Sequence, residues 1–123
     1  TKDKVWLHLD KVGSAIGSGW INLAKAHDLK MHVSEFNPLI SFNFEYPEIN
    51  SALYTLFTQE MLKKGYLATN SVYVSYSHTM DIVNRYLKEA DGVFAFIADT
   101  IKRNKVAQRL NTQIRYEGFK RLT

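Results

Sequence analysis

The sequence contains no cysteine among its 123 residues. That absence excludes disulfides, thiolate catalysis and cysteine-based zinc or iron–sulfur sites, and it is typical of proteins from a reducing compartment. No apolar run approaches the roughly 20 residues that cross a bilayer, and the amino end shows no signal-peptide pattern. We therefore expect a soluble, cytoplasmic protein with no membrane contact.

The amino acids that are present have a globular composition. Hydrophobic residues make up 46% of the chain and charged residues 23%, which argues against a disordered or fibrous protein. A chain of 14.2 kDa is about one domain long and buries roughly two-thirds of its unfolded surface. We expect one ordinary hydrophobic core.

Positive charge is concentrated at one end of the chain. Sixteen Lys and Arg residues stand against twelve Asp and Glu residues, yet residues 102–123 alone hold seven of the basic residues and one acidic residue. Nucleic-acid binding usually requires a basic stripe on a folded face, so this distribution does not favour it. The charge shift predicts a domain at residues 1–104 and a basic C-terminal tail at residues 105–123.

The first part of the chain has the pattern of an amphipathic helix that ends near His27. Its apolar residues recur every three or four positions and form one stripe: Val5, Leu9, Val12, Ile16, Trp20, Leu23 and Ala24. Glycines at 13, 17 and 19 indicate close packing against a neighbouring element or a local bend. They do not form a phosphate loop, because no strand precedes them and no Lys-Ser/Thr pair follows.

Three stretches alternate apolar and polar residues with a period of two, which predicts strands with one buried face. Their apolar positions are Met31 and Val33; Ile40, Phe42, Phe44 and Tyr46; and Val72, Val74 and Tyr76. The Asn37-Pro38 pair predicts the turn between the first two strands.

Two more helices are predicted between and after the strands. The Tyr46-Pro47-Glu48 sequence is expected to open one helix that ends at residues 63–65, Lys-Lys-Gly. Thr79 is expected to cap the other helix, whose apolar stripe is Ile82, Tyr86, Ala90, Phe94, Ile97 and Ile101. The order α-β-β-α-β-α predicts a small α+β fold, with a largely antiparallel sheet of three to four strands and helices packed on one face.

The residues provide no complete active site. None of the four histidines has the spacing of a helical metal pair, so we predict no metal site in this chain. No serine has an identifiable base and acid partner, and we predict no catalytic residues and no cofactor-binding residues in this chain. No Gly-x-Ser-x-Gly elbow is present. His78, between the last strand and Thr79, is interpreted as a hydrogen-bonded structural residue rather than a catalytic base.

Seven segments of the chain together span most of residues 5–101 and form a recognisable pattern: GSGW at 17–20, LAKAHDL at 23–29, PLISF at 38–42, TLFTQEMLKKGYLA at 55–68, YVSYSHT at 73–79, DIV at 81–83 and YL at 86–87. In order and spacing these segments resemble the C-terminal part of class III pyridoxal-phosphate (PLP) aminotransferases, in particular the group similar to glutamate-1-semialdehyde 2,1-aminomutase.

The resemblance implies that this chain is the small C-terminal domain of a fold type I PLP enzyme. In that family the PLP lysine, the aspartate facing the pyridine nitrogen and the phosphate-binding residues belong to the large domain, and none of those motifs occurs here. The implied partners are that large domain, a homodimer mate and an amino or keto substrate. PLP is expected in the complete enzyme and not in this domain, which would be inactive alone.

Two departures from the family pattern bear on the substrate. The loop before the third strand is short and carries Asn70 where aminomutases have an acidic gating residue, and Ser71 stands roughly where omega-aminotransferases have a carboxylate-binding Arg. An amino or keto substrate of another kind, such as a sugar, is therefore as well supported as aminomutase chemistry. The predicted edge of the substrate cleft comprises Tyr66, Thr69, Asn70 and Ser71.

A second interpretation remains open. The same α+β shape with a basic tail also suits a freestanding binding or regulatory module that contacts acidic partners. A complete small enzyme is not favoured, because no convergent catalytic set is visible.

Overall fold

The computed structural model describes residues 2–36, 39–75 and 77–110, with the side chains of residues 2–9 and 36 excepted. Within these ranges the fold is a three-stranded antiparallel sheet with four helices, which confirms the predicted α+β class and the predicted order of its first six elements; the short fourth helix was not predicted. The elements in chain order are α1 (Lys2–Ala26), β1 (Met31–Phe36), β2 (Leu39–Phe44), α2 (Asn50–Lys63), β3 (Ser71–Tyr73), α3 (Met80–Lys102) and α4 (Val106–Arg109). The Asn37-Pro38 turn, Tyr76 and residues 111–123 lie outside the described residues.

The sheet has the strand order β1-β2-β3, with β2 in the centre. Met31 pairs with Phe44 at one end of the first ladder, and Ile40 pairs with Val72 in the second. Ile40, Phe42 and Phe44 are buried on one face of β2, whereas the intervening Ser41 and Asn43 are only partly buried. The period-two alternation of the sequence therefore defines the inner face of the sheet.

Phe42 is the centre of the hydrophobic core. Its ring makes edge-to-face contacts with Trp20 of α1, Phe57 of α2 and Phe94 of α3, at centroid distances of 4.9, 5.0 and 5.4 Å. All four side chains are completely buried. One strand residue thus joins the three long helices to the inner face of the sheet, and such aromatic pairs add stability beyond the area they bury.

The glycines of α1 lie where neighbouring elements approach the helix closely. A Cβ atom at Gly13 would lie 2.8 Å from Cδ1 of Ile40, and one at Gly19 would lie 2.5 Å from Cδ1 of Leu87. Both distances are shorter than a van der Waals contact. Close packing, one of the two expectations for these glycines, is therefore confirmed against β2 and α3.

Helix α2 begins later than the sequence predicted. Residues 47–49 form a turn, in which the Ile49 amide donates to the Tyr46 carbonyl at 2.9 Å. Oδ1 of Asn50 accepts from the Tyr46 amide at 2.7 Å and holds this turn in place of a first helical turn. The prediction that Pro47 opens the helix was wrong, but its end is confirmed: Gly65 follows with φ of +89°, a conformation that favours glycine.

The third strand and the last long helix differ in part from their predicted patterns. Regular pairing in β3 covers only three residues, although Val74 beyond it is buried as predicted. On α3, Ala90, Phe94 and Ile97 are buried. Ile82 was wrongly placed in the buried stripe and is 43% exposed, because the buried face at this end of the helix is centred on Val83.

The packed fold continues beyond Asn104. Val106 of α4 and Leu110 are buried in the core cluster, and the Arg109 guanidinium lies 4.7 Å from the Phe96 ring centroid. Arg109 also donates to Thr100 Oγ1 and to Asp99, both at 2.8 Å. Residues 105–110, which the charge pattern assigned to a tail, are therefore part of the packed unit.

The helices themselves show no membrane-spanning character. Throughout the described ranges, each helix is too short or too polar to cross a lipid bilayer.

Candidate functional site

A cleft of about 320 Å³ lies between β3, the loop before it and the first turns of α3. Its walls combine aromatic, aliphatic and hydroxyl-bearing side chains. They come from α1 (Ile16), the loop (Tyr66, Leu67, Ala68 and Thr69), β3 (Ser71, Val72 and Tyr73) and the start of α3 with the residue before its cap (His78, Ile82, Val83 and Tyr86). The volume lies at the lower end of the range for small-molecule sites.

Three of the four residues predicted at the substrate edge line this cleft: Tyr66, Thr69 and Ser71. The loop is held by Thr69, whose Oγ1 accepts from the Ser71 amide at 3.3 Å and lies 3.3 Å from the Ser71 carbonyl oxygen. Asn70 is not among the lining residues. Its side-chain amide donates to the Phe42 carbonyl and its own carbonyl accepts from the Phe42 amide, both at 2.9 Å, so it fastens the loop to β2.

His78 and Thr79 lie where the chain passes from β3 to α3. Nδ1 of His78 accepts from the Ser75 amide at 3.0 Å. Thr79 is the N-cap of α3, and its Oγ1 accepts from the Ile82 amide at 3.2 Å. These bonds fix the direction of α3 relative to the cleft wall, and His78 is itself part of that wall.

Tyr86 connects the cleft to the core. Its hydroxyl accepts from Nε1 of Trp20 at 3.1 Å. Burial raises the pKa of Tyr86 to about 12, although the Trp20 hydrogen bond lowers it. The phenol therefore stays protonated at neutral pH. Its ring meets that of Tyr66 edge to face at 6.2 Å, so two tyrosines form one side of the cleft.

The rim of the cleft exposes apolar side chains. Leu67 is 87% exposed and Tyr73 is 70% exposed. Ile82 also lies on this rim, and Leu39, which pairs with Tyr73 across the sheet edge, is exposed as well. These four are among six large hydrophobic side chains that are exposed in the described part of the chain. Clustered exposed apolar residues of this kind mark surfaces that another protein or a ligand covers.

The cleft does not have the composition of a PLP site. No lysine, arginine or carboxylate is among its lining residues. The buried polar residues of the described chain are Gln59 and Thr100, neither of which lines the cleft. PLP requires a lysine amine and partners for its phosphate and pyridine nitrogen. The described residues do not fit that requirement, and we derive no chemical step through PLP for this domain.

A second hollow lies between the end of α1 and the C-terminal half of α3. His27 Nε2 and Asp91 Oδ1 form a 2.6 Å contact that joins the two helices beside it, and Lys102 contributes to its wall. No serine or threonine accompanies this pair among the residues that line the hollow. Across the described residues, no group of three His, Asp or Glu side chains is placed to bind a metal ion.

The sequence pattern missed several residues that line the cleft. Tyr73 falls between the apolar positions Val72 and Val74, so the period-two pattern gives it only an outward position on the strand. The helical pattern gives Tyr86 and Ile82 only positions in a buried stripe. The one signal for Tyr86 was its chemistry, because a tyrosine in an otherwise apolar stripe requires a partner for its hydroxyl. Ile82 carried no such signal.

Comparison with known proteins does not identify the chain. No protein-family profile matches the sequence, and no curated protein matches it.

Proposed function

We propose that this chain is the C-terminal small domain of a cytoplasmic, homodimeric, PLP-dependent class III aminotransferase or aminomutase, and that it is inactive without the large domain. The observation that carries the proposal is the convergence of Tyr66, Thr69 and Ser71 in one cleft with an exposed apolar rim. These residues were assigned to the substrate edge from the family resemblance alone. An apolar rim around an incomplete site suits a surface that a second domain covers.

In this proposal the domain contributes shape rather than catalytic groups. The loop of residues 66–71 and the start of α3 form one wall of the substrate cleft, and the large domain supplies the other wall with the cofactor. Closing the two walls excludes water and orients the amino or keto substrate. The Phe42 core holds β2, and through it β3, firmly against the three long helices, which gives this wall a rigid support.

The decisive test compares the 123-residue chain with the complete protein translated from its natural reading frame. Each is mixed with PLP and an amino donor. The longer protein is expected to acquire the visible absorbance of bound PLP and to turn over, whereas the 123-residue chain does neither. Turnover by the 123-residue chain, or a reading frame with no PLP lysine outside it, would contradict the proposal.

A charge on the rim tests whether the large domain covers it. In the complete protein, Leu67→Asp is expected to reduce turnover about tenfold or more, because a carboxylate buried in an interface without a partner is costly. Leu62→Asp is the matched control, since Leu62 is 52% exposed on α2 and does not line the cleft. Equal activity of the two variants would show that the rim is not part of the interface with the large domain.

The alternative, a binding module that uses a basic tail, has less support. Arg103 and Arg109 both pair with Asp99 at 2.8 Å, so two of the seven basic residues are engaged within the fold. A fair test removes residues 111–123 and keeps Leu110, because Leu110 belongs to the core. Salt-dependent binding of RNA or DNA that disappears with this truncation would favour the alternative.

A further inference from the structure

We propose that the cleft binds an uncharged, hydroxyl-bearing ring, such as a pyranose sugar, through its tyrosine walls and hydroxyl groups. The inference rests on the proposed function only in identifying this ring as part of the substrate. Binding of the ring to the chain itself follows from the lining residues.

The aromatic walls suit the flat faces of a sugar ring. Tyr66, Tyr73 and Tyr86 all line the cleft, and Tyr66 and Tyr86 stand edge to face. Aromatic faces carry partial negative charge, and the C–H groups on one face of a pyranose are weakly positive. A volume of about 320 Å³ matches one ring rather than an extended chain.

The hydroxyl groups of the cleft can exchange hydrogen bonds with a polyol. The Tyr86 oxygen accepts from Trp20, and within the described ranges no acceptor receives the Tyr86 proton. A phenol donates as well as accepts, so a ligand oxygen would complete its bonding. Ser71 adds an exposed hydroxyl at the rim, which likewise donates and accepts.

The electrostatics favour a neutral ligand over an anion. No lysine or arginine lines the cleft. A carboxylate or phosphate placed here would lose water without gaining a cationic partner. The cleft therefore discriminates between a neutral sugar and its carboxylated counterpart.

The experiment titrates the full 123-residue chain with methyl glucoside and, separately, with glucuronate. Backbone amide shifts of residues 66–73 are followed by NMR. Methyl glucoside is expected to give saturable shifts with a dissociation constant on the order of 1 mM. Glucuronate is expected to bind about tenfold more weakly or not at all. Absence of saturable shifts, or equal affinity for the two ligands, would overturn the inference.

Three variants locate the site. Tyr86→Phe is expected to weaken glucoside binding roughly fivefold to tenfold by removing the donor, and Tyr54→Phe is its control, since the Tyr54 hydroxyl accepts from the Phe44 amide outside the cleft. Tyr73→Ala removes a wall that is 70% exposed and so does not threaten folding. Ser71→Arg is expected to reverse the preference toward glucuronate. If Tyr73→Ala binds methyl glucoside as tightly as the wild type, the proposal that tyrosine side chains contact the sugar ring is contradicted.

These results are independent of the PLP test. Glucoside binding by a chain whose natural reading frame has no PLP lysine would leave the cleft assignment intact and remove the aminotransferase proposal. If the complete protein is a PLP enzyme and its C-terminal domain does not bind neutral sugars, the aminotransferase proposal is supported and the sugar-binding assignment of the cleft is removed.

Discussion

The Phe42 core and the cleft beside β3 adjoin the same three-stranded sheet, but they differ in how far their apolar side chains are exposed to solvent. Phe42 and the three rings around it are completely buried, whereas Leu67 and Tyr73 at the cleft are 87% and 70% exposed. The core supplies the stability of the fold. The rim of the cleft leaves apolar side chains exposed, and clustered exposed apolar side chains are typical of surfaces that a ligand or another protein covers.

The largest expected effect comes from deleting the central ring of the core. Phe42→Ala is expected to lower the free energy of unfolding by about 3–5 kcal/mol, because it removes contacts to three helices and leaves a cavity. Tyr73→Ala, one strand away at the cleft, should change it by less than about 0.5 kcal/mol. Urea denaturation of both variants checks the comparison, and similar losses would show that the cleft supports the fold.

Alkaline pH should weaken the junction between core and cleft at Tyr86. Its pKa is raised to about 12 in the folded state, against 10.0 for an ordinary tyrosine. The unfolded chain therefore releases this proton first, and its contribution to stability, present below pH 10, is lost as the pH rises toward 12. The loss is about 2–3 kcal/mol. Denaturation midpoints of wild type and Tyr86→Phe between pH 9 and 12 should show a steeper decline for the wild type, and parallel curves would refute the assignment.

The glycines of α1 allow a smaller test of close packing. Gly13→Ala is expected to cost about 1–2 kcal/mol, because the new Cβ meets Cδ1 of the buried Ile40. At Gly17 the close neighbour is the end of the exposed Glu35 side chain, which can turn aside. Gly17→Ala should therefore gain up to about 1 kcal/mol from helix propensity. Thermal melts that show the same sign for both variants would count against this interpretation.

The smallest expected effect is at the start of α3, on the cleft side. Thr79→Ala should cost about 1 kcal/mol by leaving the Ile82 amide without its cap. Thr79→Ser keeps the hydroxyl and should restore most of the loss. Hydrogen exchange is expected to increase for the first turn of α3 and not for its C-terminal half. A uniform increase along the helix would show that the cap does not act locally.

Most of the fold was predictable because its signals are local and periodic. The alternation of Ile40, Phe42 and Phe44 identified the buried face of β2, and the end of α2 at the Lys-Lys-Gly sequence was marked by cap chemistry. The start of α2 was not predictable in this way, because the Asn50 side chain competes for the Tyr46 amide and holds a turn around Pro47.

The candidate site was predictable only in part. The family resemblance placed Tyr66, Thr69 and Ser71 at a substrate edge, and the structure brings these three to one cleft. The resemblance did not predict that the Asn70 side chain donates to the Phe42 carbonyl, and the helical pattern did not predict that Ile82 is exposed. Both features depend on how the loop and α3 meet the edge of the sheet.

The sequence by itself determined the element order, the buried face of β2 and the absence of cysteine chemistry, since each follows from residue type or short-range spacing. Only the tertiary structure decided that Phe42 joins three helices, that Val106 and Leu110 belong to the core, and that tyrosines from β3, its loop and α3 line one cleft. Those features depend on contacts between residues far apart in the chain, which local periodicity does not encode.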